Sequence, residues 1–159
     1  MKFAEKELED YWKIIKIPTY VLIAWSLAGL IISKISFSLY LSVFSPVANW
    51  VLAIAVFGFI GWTAVKDHKL AIKIAAWAGA LTGIIAGFIG AVISLIMFYL
   101  VPDLKEYTLS QAAAQGAPAA SIEPFIAIGM YLGLITGPLV LAILGVIISA
   151  IAGLIAKKV

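Results

Sequence analysis

His68 is the single histidine of this chain and lies in Lys66-Asp67-His68-Lys69. An imidazole next to a carboxylate is the usual starting point for general-base chemistry. That chemistry needs a partner that orients the ring inside a buried pocket. Four polar residues in a row read instead as a solvated turn, and an Asp adjacent in sequence does not supply the pocket. Three acids, Asp103, Glu106 and Glu123, bracket a stretch of small residues. Their oxygens suit Ca²⁺ or Mg²⁺ if they converge; otherwise they form a solvated acidic rim. One histidine with scattered carboxylates does not assemble a closed transition-metal site. The chain has no Cys, which excludes disulfides and thiolate ligation. It contains no phosphate-cradling loop and no nucleophile motif. The expectation is no catalytic residue, no metal, no cofactor, and a protein that is not an enzyme.

Of the 159 residues, 64% are hydrophobic and 12% charged, and the mean hydropathy is +1.14. Soluble domains carry about 25% charged residues, so a water-soluble globule is excluded, as is a disordered chain. A helix needs about 20 apolar residues to cross a bilayer core. Candidate spans cover residues 20–35, 46–65, 70–101 and 124–156. The expected fold class is all-α: an integral membrane four-helix bundle over residues 18–159. At 1.5 Å per residue the last two spans reach roughly 46 Å against a ~30 Å core, so they tilt, kink or project. The acidic loop at 102–123 is read as a short helix or a flexible strap.

Residues 1–17 form a separate element in this reading. Ala4, Leu8, Tyr11, Trp12 and Ile15 share one helical face. That predicts an interfacial helix; a plain inner start to the first span is the alternative. Four acids and four lysines in residues 1–16 argue against a cleaved signal peptide. All basic residues are Lys. Nine (Lys2, Lys6, Lys13, Lys16, Lys66, Lys69, Lys73, Lys157, Lys158) fall on one side of a four-span chain, and only Lys34 and Lys105 on the other. The positive-inside rule then places both termini in the cytoplasm of a multi-pass cell-membrane protein. Trp12, Trp25, Tyr40, Trp50, Trp62, Trp77 and Tyr99 are expected at the interfaces or between helices.

Small residues recur every four positions. Gly79, Gly83 and Gly87 form one stripe, Gly129, Gly133 and Gly137 a second, and Gly145, Ser149 and Gly153 a third. Such stripes let helix backbones approach closely. They serve packing within the chain, an interface with another chain, or a pore lining. Pro138 lacks an N–H inside the fourth span, which predicts a static kink or a hinge. No ionisable residue falls at the centre of any span. Proton relays, ion-coupled carriers and voltage sensors normally need one there.

The glycine-stripe helices, through Gly79-x₃-Gly83-x₃-Gly87 and Gly133-Leu-Ile-Thr-Gly-Pro138, resemble small uncharacterised four-span membrane proteins of archaea and bacteria. The Gly-Pro within an apolar span is also similar to Yip1-domain membrane proteins, which usually have five spans where this chain has four. Neither resemblance implies an activity or a site. The function expected is that of an accessory subunit or scaffold acting through its glycine faces, with Leu at Gly83 or Gly133 breaking assembly. The alternative is a homo-oligomeric pore or a lipid-handling protein. The expected partners are membrane lipids and either further copies or a larger membrane complex. Nucleic acid is not expected, because the lysines flank apolar spans and there is no Arg fork.

Overall fold

The computed structural model describes residues 2–3, 6–116 and 122–159. Lys2–Phe3 and Lys6–Glu7 pair antiparallel as a minimal hairpin. The other described elements are helices: α1 Leu8–Ile35, α2 Phe37–Val43, α3 Pro46–Lys66, α4 Ile72–Leu100, α5 Pro102–Ala114 and α6 Ile122–Lys158. Of these, α1, α3, α4 and α6 are long and apolar enough to cross a membrane.

Local chemistry sets the breaks. Ser36 separates α1 from α2, and its side chain accepts the Leu39 N–H. Ser45 caps α3 by accepting the Ala48 N–H at 3.3 Å, and Pro46 takes the first turn, where a missing N–H costs nothing. Pro102 opens α5 in the same way. The Ser-rich stretch after the first span thus forms a helix of its own, which its composition did not indicate.

α1 is one helix from Leu8, so residues 8–17 are not a separate element. The helix runs through Pro18, whose ring occupies a buried position. Tyr11 and Ile15 turn inward at 1% and 2% exposure, while Leu8 and Trp12 of the same expected face stay exposed. Residues 8–17 thus begin the same long helix that carries the first candidate span. Ala4 lies outside the described residues.

α4 occupies the middle of the bundle, against α1, α3 and α6, and α6 packs mainly on α4 and α3. Tyr11, Ile15, Phe57, Ile60, Ala64, Ala75, Ala78 and Ala156 belong to one apolar core. That core brings the start of α1, the end of α3, the start of α4 and the end of α6 to the same end of the bundle, the lysine-rich end. α2 and α5 lie at the other, the loop end. There Lys105 and Glu123 form an ion pair between α5 and α6. It is half exposed, so Lys105→Ala is expected to cost no more than about 1 kcal/mol, less at high salt; thermal unfolding at two ionic strengths checks this.

Candidate functional site

The glycine stripes divide into a packed set and an open one. Gly79, Gly83 and Gly87 of α4 face α6, which runs antiparallel. A Cβ on Gly79 would overlap the Gly145 carbonyl, and one on Gly83 the Leu141 carbonyl. On Gly87 it would come 2.7 Å from the Pro138 Cα. Pro138 is buried in this seam, and α6 passes through it unbroken. Ser149 is fully buried, and its hydroxyl donates to the Phe57 carbonyl of α3 at 2.9 Å. On Gly153 a Cβ would meet Val65 at 3.0 Å and the Gly61 carbonyl at 3.4 Å.

Gly61 escaped the sequence reading because it belongs to no glycine stripe. A Cβ there would overlap the Ser149 carbonyl. Its helical neighbours Ala53, Phe57 and Ala64 are all buried, and that spacing was the available signal. In contrast, Gly129 and Gly133 have nothing within 4 Å of a built Cβ, and Gly137 makes only ordinary contact, with Ala91 at 3.9 Å and the Gly87 carbonyl at 4.0 Å.

An opening lies toward the loop end. It is a half-open cleft of about 510 Å³ walled by α1, α2, α3, α4 and α6. Pockets for small ligands run to roughly 300–1,000 Å³. Gly87, Gly90 and Ala91 of α4 form part of its wall, together with Thr136, Gly137 and Val140 of α6. The lack of large side chains there leaves the space. At the α1–α2 side, Trp25 Nε1 donates to Asn49 Oδ1 at 2.7 Å, and Asn49 Nδ2 donates to the Phe44 carbonyl at 3.3 Å. Gly29 admits the Phe44 ring, which lies 3.3 Å from where its Cβ would be. A ladder of rings continues from Trp25 to Phe44, Tyr40, Phe37 and Tyr107, with centroids 4.5, 5.6, 6.0 and 5.8 Å apart. Rings at these separations attract beyond their buried area, and they tie α2 and α5 to α1.

The cleft lining holds no Asp, Glu, Lys or His. Its one ionisable group is Tyr40, and burial pushes that phenol above its ordinary 10.0. Raising an acid's pKa extends its neutral form upward, so the cleft stays uncharged through the neutral range. Occupancy by an uncharged probe is expected to be flat between about pH 5 and about pH 9; a fluorescence titration at several pH values checks it.

Two further hydroxyls, Thr19 of α1 and Thr82 of α4, are fully buried with no hydrogen-bond partner among the described residues. An unmade bond of this kind costs about 1–3 kcal/mol. Thr82→Val keeps the branched shape and removes the orphan. It is expected to raise stability by about 1 kcal/mol, read as a higher melting temperature in detergent. A smaller groove of about 490 Å³ lies at the lysine-rich end between Leu8–Ile15 of α1 and Leu81 and Ile85 of α4.

The other sequence candidates lie apart from the cleft. His68 and Asp67 are exposed in the turn between α3 and α4, and Asp103, Glu106 and Glu123 are exposed at the loop end. Among the described residues no group of three metal-ligating side chains converges. No family model, no curated protein and no solved structure matches the chain.

Proposed function

We propose that this is a multi-pass membrane protein, not an enzyme, that holds a lipid chain or a similar amphiphile in the cleft at the loop end. The observation that carries this reading is the cleft itself: ligand-sized, apolar-walled and furnished with a few uncharged polar groups. Four apolar helices support the membrane setting. The lysine distribution supports cytoplasmic termini, which puts the cleft in the outer half of the bilayer. An acyl chain reaching it from the side would bury apolar area at roughly 25 cal/mol per Å². Reactive groups have no place in this reading, and the lining offers none.

A second reading has one observation in its favour. Gly129 and Gly133 leave a strip of α6 without cover, which suits an accessory subunit docking on another membrane chain. Native mass spectrometry of protein extracted gently from its own membrane separates the two. The first reading expects monomers that retain a lipid mass. A fixed ratio to a different chain, with no retained lipid, would replace it with the second.

A further inference from the structure

We infer that the cleft selects an uncharged amphiphile, one whose polar end is an ester or a hydroxyl and carries neither phosphate nor ammonium. This inference rests on the amphiphile-binding reading above and narrows its ligand class.

The polar groups of the lining set the chemistry. Ser26 and Thr136 hydroxyls donate to their own helices, to Leu22 O at 3.1 Å and Leu132 O at 3.2 Å. Trp25 is committed to Asn49, and one of the two Asn49 amide hydrogens to Phe44. That leaves the second Asn49 N–H, and the hydroxyls of Tyr40 on α2 and Ser94 on α4, which make no hydrogen bond among the described residues. All are neutral. They can donate to an ester carbonyl or exchange hydrogen bonds with an alcohol. None of them can neutralise a phosphate or an ammonium group. The charged residues at the loop end, Lys34, Asp103, Lys105, Glu106 and Glu123, do not line the cleft. A charged head drawn into it would lose water without gaining a counter-charge, which is costly. An uncharged head meets only a demand for hydrogen bonds, and three donors are available.

The test uses the full-length protein in phosphatidylcholine vesicles doped with a lipid brominated on its acyl chains. Bromine quenches indole fluorescence at short range, and Trp25 and Trp50 both line the cleft. Brominated diacylglycerol and brominated phosphatidylglycerol carry the same chains and differ in the head. Diacylglycerol is expected to reach half-quenching at a concentration at least about tenfold lower, the ratio that 1.4 kcal/mol produces. Equal half-quenching concentrations would overturn the inference while leaving amphiphile binding intact. If neither lipid quenches more than it does in a Val140→Phe protein with an obstructed cleft, amphiphile binding itself falls, and the inference with it. A Tyr40→Phe/Ser94→Ala protein supplies the second arm. Both positions keep their apolar bulk, and the preference for diacylglycerol is expected to shrink severalfold. Full retention of the preference in that variant would overturn the assignment of these hydroxyls.

Discussion

Gly79→Leu is expected to abolish the packed bundle. Even the first atom of any side chain there would occupy the space of the Gly145 carbonyl. That carbonyl belongs to helical backbone and does not yield as a side-chain tip would. Ordinary overpacking costs about 1–3 kcal/mol, and a clash between two backbones lies above that range. The effect spreads, because the same stretch of α6 carries Ser149, which bonds α3 and lies under Gly61. Separating α4 from α6 therefore loosens α3 as well. The expected result is loss of the cooperative melting transition and an aggregated elution profile in mild detergent. Gly133→Leu is the control. With nothing within 4 Å of its Cβ, it is expected to melt within about 0.5 kcal/mol of the parent. For the fold, Leu at Gly83 and Leu at Gly133 thus have opposite expected outcomes, and any effect of Gly133→Leu on assembly would come through association with another chain.

The second large effect is functional. Val140 lines the cleft, and its side chain is half exposed, at 51%. Val140→Phe places a phenyl ring across the opening without entering the Gly79–Gly145 seam. Lipid retention in native mass spectrometry, or half-quenching by brominated diacylglycerol, is expected to weaken by at least about tenfold. The melting temperature is expected to stay within a few degrees of the parent. Loss of lipid together with loss of the fold would mean that Val140 is a packing residue and not a wall of the site.

Hydropathy and length made the four long helices legible, because a run of about 20 apolar residues satisfies its backbone hydrogen bonds within itself as a helix. The start of α1 was harder. Pro18 reads as a first-turn proline, and only packing shows that a helix begun at Leu8 continues through it. The glycines taught a sharper lesson. Gly133 and Gly145 belong to stripes of the same spacing, yet one is open and the other packed. They lie twelve residues apart, and at about 100° per residue they point about 120° apart on the helix. Spacing marks a face as smooth; it does not say which smooth face turns toward α4. The cleft was not legible at all. It depends on five helices leaving a gap, and its polar pair, Trp25 and Asn49, are separated by 24 positions with no shared motif.

The most direct test of the account is photo-crosslinking in vesicles with a diacylglycerol that bears a diazirine on its acyl chain, followed by peptide mapping. Exposed residues outside the cleft, such as Ile128, Ile143 and Ile151 of α6, supply the background, being 57%, 60% and 52% exposed. The account predicts adducts concentrated on the cleft walls, at residues 22–29 of α1, 86–97 of α4 and 136–141 of α6, and displaced by excess unlabelled diacylglycerol. Adducts spread evenly over the exposed faces, with no competition by unlabelled lipid, would contradict it.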